Sequence, residues 1–155
     1  MNDMNNNDNV DKSQAQPVID MRDTGRRAAL FKRIRRDHSL EIAEDYIELI
    51  SDLIETTGEA RAVDLASNLG VSKPTVNATI QRLQKEGYVD SKPYRAIFLT
   101  KKGKELAEWS RARHKIVLEF LHAIGVPPET AEADAEGIEH HVGSKTLAAM
   151  KKFLK

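Results

Sequence analysis

The residues best suited to chemistry lie between positions 134 and 141, where the chain reads Asp-Ala-Glu-Gly-Ile-Glu-His-His. In an α-helix, Glu136, Glu139 and His140 are spaced i, i+3 and i+4, so their side chains would project from one face. A divalent cation between such side chains would convert the repulsion of the carboxylates into coordination. Taken alone, the stretch predicts either a metal site or a solvated acidic helix face.

A second acidic pair, Asp45 and Glu48, lies in a segment with a strong helical pattern. Apolar residues recur there at three- and four-residue spacing between positions 39 and 57, and Gly58 supplies a stop. Asp45 and Glu48 are i, i+3 neighbours beside that apolar stripe. They are either its polar edge or two further oxygen ligands that face the Glu136 cluster.

The composition limits the class of protein. Of 155 residues, 31% are charged and 40% hydrophobic, which suits a helical globular chain of one ordinary domain or two small ones. The absence of cysteine excludes disulfides, zinc ribbons and thiol catalysis. No apolar stretch approaches the roughly 18 residues that span a bilayer, and the Asn-rich start does not resemble a signal peptide. We therefore expect a cytoplasmic protein that does not enter a membrane.

The net charge of zero is made of unequal blocks. Residues 24–37 carry six bases and one acid, whereas residues 38–59 carry seven acids and no base. A basic block indicates a polyanion partner, and an uncompensated acidic block indicates a repelling surface or a cation site. The polar residues 1–24 predict a disordered tail. The basic residues 26–36 predict a short helix that either contacts phosphates or is simply solvated.

Residues 61–100 have the pattern of a winged helix-turn-helix. A short helix over residues 61–69 is followed by Gly70 in a turn, and Ser72 is placed to cap a second helix with Pro74 in its first turn. Residues 88–100 then predict a small β-hairpin, which would be the wing. We expect a DNA-binding domain over residues 25–100.

The second helix and the wing carry side chains that suit a DNA major groove. The mixture contains hydrogen-bonding groups for base edges and cations for phosphates. Winged helices also serve as protein-interaction modules, but the basic excess of this block favours double-stranded DNA. Thr75 and Asn77 are expected to influence base preference, and Arg82 and Lys85 to bind phosphates. The predicted DNA-binding residues are Ser72, Lys73, Thr75, Asn77, Arg82, Lys85 and Arg95.

The last third of the chain predicts an all-helical domain over residues 101–155. A long helix reaches residue 122, a second begins at Glu129, and a third covers residues 145–154, with Leu147, Met150 and Phe153 in a core. The apolar face of the long helix is wider than one small core requires, which predicts a homodimer and hence a pseudo-palindromic operator. The fold class is therefore mainly α, with a β-hairpin wing.

The order of these parts resembles the diphtheria toxin repressor family, within which a short, two-domain branch responds to manganese. The resemblance covers residues 41–155 and rests on the motifs Asp45-Tyr46-Ile47-Glu48, Arg113-His114 and Glu136-Gly137-Ile138-Glu139-His140-His141. It implies a repressor that binds operator DNA as a dimer when loaded with Mn²⁺ and controls manganese uptake genes. It also implies two adjacent divalent ions per subunit, held by Asp45, Glu48, His114, Glu136, Glu139 and His140.

The ligand types bear on which metal binds. Iron-responsive members of the resembled family carry a Met where this chain has Asp45 and a Cys where it has Glu136. A site that offers only oxygen and imidazole ligands suits Mn²⁺. The types of ligand predict this metal independently of the family resemblance. Fe²⁺ or another divalent ion is the alternative.

Two other functions compete with a metal-dependent repressor. The stronger is a metal-independent winged-helix regulator that senses an organic ligand or a partner protein, but it leaves the acid and histidine set unexplained. The weaker is a di-metal enzyme. Ferritin-like oxidases require Glu-x-x-His, yet Gly137 and Ile138 occupy the positions three before His140 and His141. We therefore predict that the protein is not an enzyme.

Overall fold

The computed structural model describes residues 23–92 and 95–155. The chain divides into a first unit that ends at Ile34 and a second unit from Arg35 to Lys155. The predicted disordered tail lies outside the described residues, apart from Asp23 and Thr24. In the first unit, the described residues form the basic beginning of a helix, where the Asp23 carboxylate accepts hydrogen bonds from the backbone of Gly25 and Arg26.

Helix α1 runs without interruption from Thr24 to Thr57. The prediction of a separate short basic helix before residue 39 is therefore wrong. Between Gly25 and Gly58 the sequence has no glycine or proline, so nothing in the chain itself breaks the helix there. One helix thus carries both the basic block and the acidic block.

The helix-turn-helix prediction is confirmed by helices α2, Ala62–Leu69, and α3, Lys73–Lys85. Gly70 ends α2 with φ of 65°, a left-handed conformation that favours glycine. The Ser72 side chain accepts a hydrogen bond from the Thr75 backbone N–H at 3.3 Å and so caps α3. These local signals place α3 in a fixed direction relative to α2.

The wing is also confirmed, as two antiparallel strands, β1 over Val89–Ser91 and β2 over Ile97–Leu99. Val89 lies opposite Leu99 and Ser91 opposite Ile97, while Ala60 forms a further bridge to Ile97. Pro93 of the predicted turn lies outside the described residues. A single core joins the wing to the helices through Ala43, Tyr46, Ile47, Ile50, Leu65, Val76, Ile80, Leu83, Val89, Ile97 and Ala107.

The remaining elements are helical: α4, Lys101–Ala123; α5, Pro128–Ile138; a 3₁₀ turn, Glu139–His141; and α6, Ser144–Phe153. Their core consists of Val117, Leu121, Ala131 and Ala135, with Leu147 and Met150 packed against it. Phe153 was predicted to lie in this core, but it is 60% exposed. At the end of α6 its ring contacts Phe120 edge-to-face, with 5.4 Å between the centroids.

None of the helices in the described part of the chain is long and apolar enough to cross a bilayer.

The junction between the wing and α4 depends on Gly103. The Thr100 hydroxyl caps α4 by accepting from the Gly103 N–H, and it donates to the Gly87 carbonyl at 2.7 Å. A Cβ atom on Gly103 would overlap the backbone carbonyl of Tyr88 and press on the Leu99 side chain. Only glycine therefore lets the first turn of α4 approach the wing this closely.

We predict that Gly103→Ala lowers the free energy of unfolding by about 1–3 kcal/mol, the usual cost of overpacking a close contact. Gly137→Ala is the matched control, because a Cβ there meets no described atom within 4 Å. It should leave stability unchanged or raise it by up to about 1 kcal/mol through helix propensity. Urea denaturation of both variants checks the pair, and equal stabilities would contradict the packing argument.

Candidate metal centre and DNA-facing groove

Three parts of the second unit bring the predicted metal ligands together. Helix α1 carries Asp45 and Glu48, helix α4 carries His114, and the end of α5 with its 3₁₀ turn carries Glu136, Glu139 and His140. The ligands therefore come from segments that are far apart in the chain. That all six bind a metal stays a prediction.

The predicted single helical face for Glu136, Glu139 and His140 is wrong in detail. Helix α5 ends at Ile138, and Glu139–His141 form a 3₁₀ turn. A 3₁₀ turn has 3.0 residues per turn rather than 3.6, so successive side chains fan out at wider angles. Gly137, just before it, also weakens the α-helix. As a result Glu139 approaches α4 while His140 approaches α1.

His114, Glu136 and Glu139 form the tightest group of possible ligands among the described residues. Their ligand atoms all lie within 4.8 Å of one another. His114 Nδ1 is 2.6 Å from Glu139 Oε2 and 3.7 Å from Glu136 Oε1. The Glu139 side chain is 1% exposed and that of Glu136 70% exposed. One side of this group is therefore enclosed, and the other is open to solvent.

His140 links the same region to α1. Its Nδ1 is 2.7 Å from Glu44 Oε2, and its Nε2 is 3.3 Å from Asp45 Oδ1 and 3.7 Å from Glu139 Oε1. Hydrogen bonds with Asp45 and then with Glu44 raise the pKa of His140 to about 10. A metal ligand must offer a lone pair, so a cation that binds this ring has to displace its proton.

Glu48 contributes a buried carboxylate oxygen, Oε1, that lacks a hydrogen bond within the described residues. Burial raises the pKa of Glu48, and the negative charge of Glu136 adds to this, against the opposing effects of Ser110 and His140. Burial also raises the pKa of Glu139. A buried acceptor without a donor is costly, and a cation beside Glu48 would remove that cost. The residues present therefore fit a divalent metal.

A groove of about 630 Å³ lies between α2, α3 and the wing. Of the predicted DNA-binding residues, Lys73, Asn77 and Arg95 line it. Lys85 is exposed near the end of α3, while Ser72 and Thr75 hydrogen-bond to each other at the start of α3. The groove also contains Gln81, which flanks the predicted DNA-facing side of α3, and three residues that were not predicted to contact DNA, namely Arg61, Gln84 and Lys92. The four-residue spacing of Lys73, Asn77 and Gln81 is a signal that could have indicated this face.

Arg82 lies outside the groove. Its guanidinium donates hydrogen bonds to Ser39 of α1, at 2.9 Å to the hydroxyl and 3.4 Å to the carbonyl oxygen. It also lies 3.9 Å from Glu86. Its predicted role at DNA phosphates stays a prediction, and in this structure the side chain joins α3 to α1.

Comparison with family profiles identifies both halves of the chain. Residues 39–97 match the iron dependent repressor N-terminal DNA binding domain, and residues 100–155 match the iron dependent repressor metal binding and dimerisation domain. The chain belongs to the iron dependent repressor family. The resemblance to the diphtheria toxin repressor family is thereby confirmed, and the family is one of transcriptional regulators.

Individual members of the iron dependent repressor family agree with this assignment. The chain is 51% identical over 123 residues to the transcriptional regulator MntR of Escherichia coli O157:H7. The matched residues make up 79% of this chain and 79% of the relative. It is 46% identical over 104 residues to the HTH-type transcriptional regulator MntR of Oceanobacillus iheyensis, covering 67% of this chain and 71% of the relative.

Solved structures of repressors also resemble this chain. A manganese-dependent transcriptional repressor in complex with manganese aligns with a TM-score of 0.65 and 29% identity over 72% of this chain. The manganese regulator SloR aligns with a TM-score of 0.63 and 28% identity over the same share. The chain spans about half the length of these two proteins, at 52% and 53%.

Two residues of this family member, Glu44 and Arg113, were missed as site residues. The Arg113 guanidinium makes two hydrogen bonds to the Glu44 carboxylate, at 2.6 and 3.1 Å, and both side chains are buried. Burial alone would raise the pKa of Glu44, but hydrogen bonds from His140 and Arg113 lower it below its usual range. Glu44 lies three residues before Ile47, on the buried side of α1. A charged residue in that position requires a partner, and this was the available signal.

We predict that Arg113→Leu lowers the free energy of unfolding by up to about 3–5 kcal/mol, because the buried Glu44 carboxylate loses both hydrogen bonds from Arg113 and keeps only His140 as a partner. Arg111→Leu, which removes a partly exposed arginine beside Asp52 and Glu55, should have a much smaller effect. Urea denaturation with a chelator present measures both.

A double variant, Glu44→Leu with Arg113→Leu, tests the ion pair itself, because it removes both charges together. Replacing both charges by apolar groups is often close to neutral, so the double variant should recover much of the lost stability. A double variant no more stable than Arg113→Leu would show that the loss of the arginine from beside the Glu44 charge is not the cause.

Proposed function

We propose that this protein is a Mn²⁺-dependent transcriptional repressor that binds operator DNA as a homodimer and controls manganese uptake genes. The observation that carries the proposal is the buried, unpartnered oxygen of Glu48 beside the group formed by His114, Glu136 and Glu139. It occurs in a unit that also contains a winged helix-turn-helix. The names of the relatives, manganese-dependent repressor and regulator MntR, support the same function.

The donor atoms favour Mn²⁺. The proposed ligands offer only carboxylate oxygens and imidazole nitrogens, which suit Mn²⁺ better than the softer ions that prefer sulfur. Fe²⁺ or another divalent ion remains the alternative. The ligands form two groups around Glu139, one with His114 and Glu136 and one with His140 and Asp45. This arrangement supports two ions per subunit, with Glu48 as the additional oxygen ligand.

Helix α1 connects the metal ligands to the DNA-reading helix. Asp45 and Glu48 lie on α1, and the neighbouring Ile47 and Ile50 pack in the same core as Val76 of α3. When bound, Mn²⁺ supplies positive charge that offsets the repulsion among these carboxylates. Because α1 and α3 share a core, the position of Asp45 and Glu48 influences where α3 is held. Couplings of this kind between two sites are typically worth about 1–3 kcal/mol.

The DNA-facing groove and the exposed apolar residues suggest how the protein engages an operator. Lys73 and Arg95 would bind phosphates at the edges of the groove, and Asn77 would read base edges from α3. Trp109, Ile124 and Phe153 are exposed in the half that matches a dimerisation domain. A dimer of this kind would bind a pseudo-palindromic operator, with half-sites about one helical turn or a multiple apart. Such a regulator acts in the cytoplasm, where its operator is accessible.

A titration of Mn²⁺ into a DNA-binding assay tests the proposal. Duplexes recovered from a randomised library by the Mn²⁺-loaded protein serve as probes, and a chelator removes the metal. We expect affinity to rise with Mn²⁺ and to fall when the metal is removed. Binding that ignores the metal would support the regulator that senses another ligand. Turnover of a substrate without metal-gated DNA binding would support an enzyme.

We predict that Glu139→Gln abolishes the Mn²⁺ response while leaving a folded protein, because the amide keeps the size of the side chain but not its charge. Glu132→Gln is the matched control, since Glu132 is exposed and lies 3.7 Å from His114 but is outside the proposed ligand set. Operator affinity against Mn²⁺ concentration, with circular dichroism for folding, measures the difference. A normal manganese response in Glu139→Gln would exclude this carboxylate as a ligand.

We predict that Asn77→Ala changes base preference, at a cost of about 1–3 kcal/mol for the preferred base. Lys85→Ala should instead weaken binding to all sequences and make its salt dependence shallower, because a phosphate contact carries no base information. Selection from a randomised library and salt titrations compare the two variants. The reverse pattern would exchange the roles assigned to these residues.

A further inference from the structure

We propose that the basic part of α1 around Arg35 and Arg36 is an additional DNA-contacting surface, which binds phosphates beside those reached by α3 and the wing. The inference rests on the proposed DNA-binding function but concerns residues that precede both family-profile matches. It assigns a role to the basic block of the sequence, which the metal centre and the groove do not use.

The register of α1 places these two arginines on a defined side of the helix. Arg35 and Arg36 lie four and three residues before Ser39, so they share its face, one turn earlier. Ser39 is the residue that Arg82 of α3 contacts. The two arginines therefore precede the contact between α1 and α3 by one helical turn, about 5.4 Å along the axis. Phosphates that flank α3 would be within reach of such long side chains.

The acids of α1 are largely engaged elsewhere and do not neutralise this surface. Glu44 is bound by Arg113, while Asp52 and Glu55 are bound by Arg111. Glu41 lies beside His38. With Glu59 beside Arg61, five of the seven acids of residues 38–59 are therefore paired with groups other than the six bases of residues 24–37.

Both arginines are exposed, as residues of a surface that binds a partner must be. Arg36 is 76% exposed although its Nε lies 3.6 Å from Asp37, and Arg35 is exposed too. In the first unit, the bases Arg26, Arg27, Lys32 and Arg33 are also exposed. The exposed large apolar residues described in that unit, Phe31 and Ile34, are fewer than these four bases. The predominance of positive charge favours a polyanion over a second copy of the chain.

Neutralising the two arginines tests the inference. The full-length, Mn²⁺-loaded variant Arg35→Ala with Arg36→Ala is titrated with a long duplex of mixed sequence between about 50 and 200 mM salt. Each lost phosphate contact should reduce the slope of log affinity against log salt by about 0.9, so a dimer that loses four contacts should lose about 3–4. Base preference and the manganese concentration for half-maximal binding should stay unchanged.

Two further variants serve as controls. Lys151→Ala with Lys152→Ala removes two adjacent exposed bases from the last turn of α6, and it should keep the wild-type slope. Arg35→Lys with Arg36→Lys keeps the charge, so it should keep most of the slope. Circular dichroism and sedimentation show whether each variant is folded and dimeric.

An unchanged slope in Arg35→Ala with Arg36→Ala would overturn the inference. Dissociation of that variant into monomers would also overturn it, because the surface would then bind a second copy of the chain. A wild-type protein that ignores Mn²⁺ would contradict the proposed function instead. The salt slopes can be compared without metal as well, so the two failures are distinguishable.

Discussion

The buried ion pair between Glu44 and Arg113 constrains the region where α1, α4 and the 3₁₀ turn meet. Removing two charges from water is costly, so such a pair contributes little net stability but tolerates little displacement once it is formed. Its two hydrogen bonds hold α1 against α4, and Arg113 Nη2 also lies 3.3 Å from His140 Nδ1. The side chains of Glu44, Arg113 and His140 therefore help to position the predicted metal ligands of α1 and of the turn.

This constraint refines the part that a metal ion would play. Repulsion among the acidic residues is not the only force between α1 and the ligands of α4 and the turn, because Arg113 and His140 already connect these parts. A cation would serve a narrower purpose, which is to neutralise the carboxylates of Glu48, Glu136 and Glu139, for which the described residues show no ion pair with an arginine. Metal binding would then adjust the position of α1 rather than assemble the site from separate pieces.

Helix α1 combines three roles along its length. Its apolar residues Ile47 and Ile50 form the core of the winged helix-turn-helix, Asp45 and Glu48 face the candidate metal centre, and Ser39 contacts α3 through Arg82. A small movement of α1 therefore reaches α3 through a shared core and a hydrogen bond. Packed cores transmit such shifts because they compress little.

Local signals in the sequence were sufficient for the helix-turn-helix and the wing, because Gly70, Ser72 and Pro74 act on their immediate neighbours. The set of six predicted ligands came from residue type and order together with the family resemblance. Only the tertiary structure decided that α1 is continuous, that Glu139 and His140 diverge from a 3₁₀ turn, and that Arg82 binds Ser39. It alone paired Glu44 with Arg113, which are 69 residues apart. Periodicity shows which side of one helix is buried, but the partner of a buried charge depends on how distant helices pack, and no local pattern contains that information.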